Sequence, residues 1–529
     1  MMSGQTALAA AASDEFRCQP ATRFPMGSSA ELLYLTLKKE AQLLDPAEAR
    51  LLGACGQFAT LEAHAEQIAK RLPPGSADAA NVLELLRALA AKGLMLSRSE
   101  LMARIASLPR LEDPPRIAWL AIPTCDRPEM LRRCIKSFGE NFRKYGRFPK
   151  LLVADDSKMP ETRAATRAVV DEAGLTWGAG VEYVGLEEKR RLIDRLAAHG
   201  VPRDVLGFGI LGPGGPAQGA GASRNVIVLH TLGDLVLSVD DDTVCQPCVA
   251  PGTAAGGLRL GAELDPSEYW FFPDRQSALA FAERADIDVL AGHERLLGRP
   301  VHSLAGAQCQ NAGADMGSAC SHMIQSLWEG HGRVLFTSNG AVGDSGMYSS
   351  RIFPLHRGNG TRSRLLASEE QYRAALESRE LLRQPSTQFI SHRSAFMSTF
   401  FGLDNRWLMP PFFPVGHCDD GIFAFVADRG IEGCYFGYLP WALAHDPSSS
   451  RAYSTRAATT VRISDVVMSC VATWSDPDRT SSSHYRIASL GERLKALACM
   501  PPDEFDEQIR AMLWQKAGQW LSRKESLLR

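Results

Sequence analysis

Leu235-Val236-Leu237-Ser238-Val239-Asp240-Asp241-Asp242 decides how this 529-residue chain is read. The first five residues form an apolar run of the length and character of a buried strand. Three aspartates then stand at its C-terminal end. Adjacent like charges disfavour one another's ionisation, so a divalent cation that neutralises them is the simplest reason for such a run, with Asp240 and Asp242 as its ligands. A solvated acidic turn after a strand is the competing reading, and the flanking sequence weighs between the two.

Upstream, the same pattern recurs. Ile117 to Ile122 reads as an apolar strand, and Pro128 suits the first turn of a helix to about Tyr145 with Met130, Leu131, Cys134, Ile135 and Phe138 on one face. Leu151 to Ala154 is a second strand ending at Asp155-Asp156. A helix from about Glu161 to Ala173, a strand at Val181–Val184 and a helix from about Glu187 to His199 follow. Strands alternating with helices predict an α/β fold with a parallel sheet, whose ligands bind outside the strands' C-terminal ends. Thr124, Asp126, Asp155, Asp156, Asp240, Asp241 and Asp242 should therefore meet on one rim. Gly207 to Gly221 reads as a glycine-rich mobile loop leading into a helix over Ala222 to Thr231, whose first turn carries Ser223-Arg224-Asn225. Backbone N–H groups there, with Arg224, suit a phosphate; an ordinary helix start with a surface arginine is the alternative. A dinucleotide-binding glycine loop is rejected, because Pro123-Thr124-Cys125-Asp126-Arg127 occupies its place after the first strand.

The flanks read differently. Residues 1–29 are expected to be a flexible N-terminus and residues 30–112 a small helical domain, from apolar residues at helical spacing in Leu32-Leu33-Tyr34-Leu35, Leu51-Leu52 and Val82-Leu83-Leu85-Leu86-Leu89. Asp113-Pro114-Pro115 is the linker. Residues 243–414 are less regular and are expected to contain antiparallel strands and an acceptor-side insertion. Strands are expected over Ser386 to Phe401 and Gly433 to Leu439, with a helix beginning near Gly421 between them. Residues 456–529 are expected to be a helical extension. Charge is nearly balanced, 58 Lys and Arg against 60 Asp and Glu for a net −2, which excludes a global field for nucleic acid or an anionic membrane. Lys189-Arg190-Arg191 is read as a solvated helix face. No secretory signal is read at the N-terminus and no run is long enough to span a bilayer, so the protein is expected to be cytoplasmic. Twelve dispersed cysteines fit reduced thiols, and Cys245-Gln246-Pro247-Cys248 is a single pair lacking the second pair a zinc site wants.

Ile122-Pro123-Thr124-Cys125-Asp126-Arg127-Pro128, Val153-Ala154-Asp155-Asp156-Ser157, Gly221-Ala222-Ser223-Arg224-Asn225 and Val239-Asp240-Asp241-Asp242 follow one another in the order seen in family 2-like glycosyltransferases of the GT-A fold, which the chain resembles over about Arg116 to Val244 and more loosely to about Pro447, with the transferase domain expected over residues 116–455. The resemblance implies a mixed, mainly parallel sheet flanked by helices and a nucleotide-diphosphate sugar donor. It places Pro123, Thr124, Asp126 and Arg127 beside the nucleotide, Asp155 or Asp156 on base or ribose, Arg224 and Asn225 near the diphosphate, and Asp241 and Asp419 in the substrate site. Asp240, Asp242 and, in Leu443-Ala444-His445-Asp446-Pro447, His445 would hold Mn2+ or Mg2+. Asp420, in His417-Cys418-Asp419-Asp420-Gly421, would be the general base of an inverting transfer to an acceptor hydroxyl. The chain departs from the family pattern in having Asp419 where glutamate is usual and Lys158 after the first acidic motif. Leu43 to Leu52, Ala59 to Glu62 and Leu85 to Met95 are similar to the winged-helix peptide-capturing domains of the PqqD type, which would make the acceptor a peptide; a helical packing domain is the plainer reading. A sugar-phosphate nucleotidyltransferase and a peptide-binding scaffold with a degenerate transferase domain are the competing functions. The former lacks its basic glycine loop after the first strand. The latter leaves Asp240, Asp242 and Asp420 without a reason to occur together.

Overall fold

The computed structural model describes residues 14–73, 77–111, 113–214, 219–253, 256–308, 314–355, 359–393, 396–449, 451–453, 461–474 and 482–528. Residues 1–13, and residues 215–218 of the expected glycine-rich loop, lie outside them.

Apolar runs with no polar alternation can only be satisfied by burial on both faces, and the strands concerned lie at the heart of one sheet. Lys150–Asp155, Ile117–Thr124 and Leu235–Val239 are neighbours in that order and pair in parallel, and Val181–Val184, partly exposed, continues them at the sheet's edge. Successive residues point to opposite faces. Leu120, Ile122, Leu151 and Val153 enter one apolar cluster with Leu131, Cys134, Ile135 and Phe138 of the helix Pro128–Lys144. Trp119, Ala121, Leu152 and Ala154 enter another with Ile193 of the helix Leu186–Ala198 and Val226 of Gly221–His230. Phe138 is 0% exposed, and its truncation to alanine should cost about 3–5 kcal/mol.

Chain order reverses between Ile117–Thr124 and Leu235–Val239, the position at which a cleft opens beyond the C-terminal strand ends of an open α/β sheet. On the far side, Phe400–Asp404 runs antiparallel to both Leu235–Val239 and Arg333–Asp344. The long strands Arg333–Asp344 and Cys434–His445 pair in parallel, and Thr243–Val249 lies antiparallel to the latter with Thr243 opposite His445. The sheet is thus mixed, with 14 strands among the described residues. Residues 243–414, where an insertion is expected, hold strands of this same sheet.

The helical reading of residues 30–112 is corrected at its start. Ala21–Met26, Ala30–Leu35 and Glu40–Leu44 form an antiparallel meander. In the middle strand Leu33 and Leu35 are fully buried while Tyr34 between them is exposed, a period of two that a four-residue apolar run does not distinguish from a helical turn. Nor are residues 14–29 a loose tail, since Phe16–Cys18 pairs with Met95–Ser97. The helices Pro46–Ala54, Leu61–Ala69, Ala79–Ala91 and Arg98–Ser107 begin at Asp45, Thr60, Asp78 and Ser97, whose side chains accept from backbone N–H groups of the first turn. Arg17, 1% exposed, donates to the carbonyl of Ala319 at 2.6 Å and fastens this body to the large sheet's domain. The expected glycine-rich loop contains the end of a helix, Arg203–Leu211. At the C-terminus Ile463–Thr473, Ser483–Ala498 and Pro502–Leu528 are helices, and Val471, Trp474 and Leu490 pack on Phe425 and Val426 of the helix Asp419–Gly430.

Candidate active site

The strand Leu235–Val239 delivers its three aspartates into three different environments. Asp240 keeps 29% of its side chain exposed and accepts from Arg224 Nη2 at 2.7 Å. Burial, with the charges of Asp241 and Asp242, pushes its carboxyl up to about 6 against the pull of Arg224. Asp241 is buried and accepts from Thr124 Oγ1 at 2.7 Å and Arg127 Nη1 at 3.2 Å. Asp242 accepts at Oδ2 from Arg451 Nη2 at 3.1 Å and from Arg127 Nη1 at 3.5 Å. Its Oδ1 lies 3.2 Å from His445 Nε2, 203 residues away in sequence. Burial opposes the charge on Asp242, but His445, Arg127 and Arg451 outweigh it and hold the carboxyl well below the usual carboxylate range.

His445 carries the most informative geometry. Its Nδ1 lies 2.7 Å from the carbonyl oxygen of Asp344, an acceptor, so Nδ1 bears the proton. In the neutral ring Nε2 would then turn a lone pair toward the carboxylate of Asp242. The contact is attractive when the imidazole is protonated or when a cation joins the two atoms. Burial works against the charged ring; Asp242 and Asp344 raise the imidazole above its ordinary value. Asp344, itself fully buried, is fixed by Arg379 through contacts of 2.6 and 2.8 Å.

A second layer begins at the helix Gly221–His230. Its N-terminus is pressed against the segment 413–416: a Cβ on Gly219 would lie 2.0 Å from the carbonyl oxygen of Gly416, and one on Gly221 2.2 Å from that of Phe413. Only glycine permits that approach. Arg224, expected beside a diphosphate, is 5% exposed and bridges Asp240 and Asp419, each at 2.7 Å. Asn225 is committed to backbone, donating to the carbonyls of Gly209 at 2.8 Å and Phe412 at 2.9 Å and accepting from Phe412 N at 2.6 Å. Asp420, beside Asp419 at the start of its helix, accepts at Oδ2 from Ser398 N at 3.2 Å and at Oδ1 from Gly421 N at 2.7 Å. Burial and the neighbouring Asp419 push its carboxyl up, while Arg224 and these N–H groups oppose the rise. The preceding Cys418 sits at φ 75°, an unusual conformation for a residue with a side chain.

At the ends of the strands Ile117–Thr124 and Lys150–Asp155 the acids face different partners. Asp155, 2% exposed, accepts from Ser157 N and Tyr183 Oη, both at 2.8 Å, and burial pushes its carboxyl up. Asp156 accepts from Ser223 Oγ at 2.6 Å and pairs with Lys189. Asp126, at φ 56°, accepts from Lys158 N at 3.0 Å, and Pro123 is buried within its strand. Thr124, Arg127, Asp241, Asp242 and His445 thus form one connected network, and Arg224 with Asp240 and Asp419 forms a second that adjoins it through the chain at Asp240-Asp241.

Lys189, Ser398 and Arg451 belong to this rim and are missed by the sequence reading. Lys189 is corrected from a solvated position: it is 1% exposed and shares the buried face of its helix with Ile193, whereas Arg190 and Arg191 are exposed. Its signal is the four-residue spacing to an apolar residue. Arg451 lies beyond Pro447-Ser448-Ser449, a stretch that signals only a turn. Cys245 and Cys248 are buried, and burial pushes the Cys248 thiol up to about 12. All described cysteines are free. Among the described residues, no three His, Cys, Asp or Glu side chains are gathered as a ready-made metal cage, and no helix is long and apolar enough to cross a membrane.

No protein-family model matches the chain, and none of the curated proteins matches its sequence. Among solved structures, a mannosyltransferase from Pyrobaculum calidifontis in complex with GDP-Man and Mn2+ aligns over 81% of this chain and 90% of that chain, at 11% sequence identity and a TM-score of 0.25.

Proposed function

We propose that this chain is a glycosyltransferase of the GT-A type that moves a sugar from a nucleotide-diphosphate donor to an acceptor hydroxyl with inversion. The observation that carries the reading is the Asp242–His445 edge. It brings two potential ligands together at the reversal of strand order, in a geometry that a cation between them would satisfy. Their chemistry fits Mn2+ or Mg2+: Asp240 and Asp242 are hard oxygen donors, and His445 is oriented by its bond to the Asp344 carbonyl, as ligating histidines commonly are. A divalent ion held there would act as a Lewis acid toward the diphosphate leaving group.

The chain's own groups supply the rest. Thr124 and Arg127 hold Asp241 in place, and Arg224 keeps Asp240 and Asp419 at fixed separation. Asp420 is the group to accept the acceptor hydroxyl's proton, because burial and Asp419 raise its affinity for that proton without removing its hydrogen-bonded orientation. Asp126 and Arg127, exposed just beyond the strand Ile117–Thr124, are the groups to meet the nucleotide. The N-terminal body, fastened through Arg17, is the part to test for acceptor-peptide capture. The deciding experiment incubates the protein with a panel of nucleotide-diphosphate sugars, with and without Mn2+, and follows release of the nucleoside diphosphate. Metal-stimulated release from at least one donor is expected; no release from any donor under either condition would remove the reading.

A further inference from the structure

We infer that Arg127 and Arg451 are a diphosphate-binding pair which occupies Asp242 until a nucleoside diphosphate takes them over, so that cation and diphosphate enter the site together; this rests on the glycosyl-transfer reading above. Every aspartate of the run already has a cationic partner. Arg224 serves Asp240, Arg127 serves Asp241, and Asp242 is met by Arg127, Arg451 and His445. A divalent cation arriving alone would have to displace both guanidinium groups from Asp242, leaving Arg127 to Asp241 and the charge of Arg451 without its counterion. A diphosphate removes that conflict, because its anionic oxygens accept from two guanidinium groups in the planar geometry they favour.

Exposure separates the arginines that can make this exchange from the one that cannot. The side chains of Arg127 and Arg451 are 45% and 34% exposed, whereas that of Arg224 is 6% exposed and clasped between two acids. Arg127 and Arg451 also come from different segments, one just ahead of the helix Pro128–Lys144 and the other six residues beyond His445. Both reach Asp242 Oδ2, so the same partner exchange frees that oxygen. Coupling of this kind is reciprocal: the cation must tighten the diphosphate by the factor that the diphosphate tightens the cation.

The test is Mn2+ binding to the full chain, followed by electron paramagnetic resonance of free Mn2+, with and without UDP or GDP. Calorimetry of the nucleotide binding accompanies it. The parent should bind Mn2+ at least about tenfold more tightly with one of the nucleotides present, within the usual range of coupling between sites. Arg451→Gln and Arg127→Gln should each bind Mn2+ alone more tightly than the parent and bind the nucleotide more weakly, narrowing the coupling. Arg190→Gln, an exposed position paired with Glu187, should behave as the parent, and melting curves report folding for each. Parent-like Mn2+ and nucleotide affinities in both folded site variants would overturn the inference while leaving the metal reading in place. Absence of Mn2+ binding in every protein, with and without nucleotide, would overturn the metal reading and the inference with it.

Discussion

Two strand ends a single strand apart carry nearly the same sequence signal, an apolar run followed by aspartates, and the fold gives them different surroundings. At Asp155-Asp156 the partners are a backbone N–H, a tyrosine, a serine and one buried lysine, all on elements of the same half of the sheet. At Asp240-Asp241-Asp242 they are three arginines, a threonine and a histidine drawn from segments up to 209 residues distant. The first arrangement closes loops onto the sheet. The second concentrates charge where the chain order reverses, so what separates the two sets of acids is how distant in sequence and how exposed their partners are.

The sharpest way to break this contrast is Asp242→Asn. Donor turnover should fall by about 10²–10³-fold, the scale of losing one preorganised electrostatic contact in an active site, and a steady-state assay that found parental turnover would end the distinction. Asp420→Asn should come next. A loss of about 10²-fold in kcat with donor affinity unchanged is expected for a removed general base; an equal loss in donor affinity would instead assign Asp420 to binding. Asp155→Asn should act on stability, lowering the unfolding free energy by about 1–3 kcal/mol in a denaturant titration and leaving turnover per folded molecule near parental.

The pH dependence should separate the two strand ends by sign. Asp155 has its folded proton affinity raised, so its contribution is fully present below the ordinary carboxylate range and is lost as pH rises through the raised value. Asp242 has its affinity lowered, so its contribution is present above that range and fades as pH falls through the lowered value. Melting temperatures between about pH 3 and about pH 6, which bracket the ordinary carboxylate range, should therefore show the gap between parent and Asp155→Asn shrinking as pH rises and that for Asp242→Asn widening. The smallest effect on the site should come from Thr124→Val, which removes one hydrogen bond to Asp241 and leaves every charge in place. Its loss should weaken Mn2+ binding only indirectly, a few-fold by titration.

The alternating strands and helices from Ile117 to Val239 were legible because strands buried on both faces leave unbroken apolar runs and helices a one-sided stripe. The first meander was not, since Leu32 to Leu35 is too short to fix a period. That aspartates stand at strand ends was legible, but not which of them meet the arginines and His445, since Asp155-Asp156 carries the same signal. Their partners were not: Lys189 hides in a basic triplet, Asn225 answers to backbone carbonyls 16 and 187 residues away, and Arg451 follows a stretch whose composition announces only a bend.

The glycines at 219 and 221 have a consequence for how the site tolerates change. Because the carbonyls of Gly416 and Phe413 stand where a methyl group would go, these two positions act as a gauge block between segments that carry Arg224 on one side and Asp419 on the other. A substitution there would spread the jaws of the clasp without touching either charge. Loss of function by misalignment at neutral, distant-looking residues is thus written into the shoulder of the cleft, and a search for inactivating changes should find it as readily as the acids themselves.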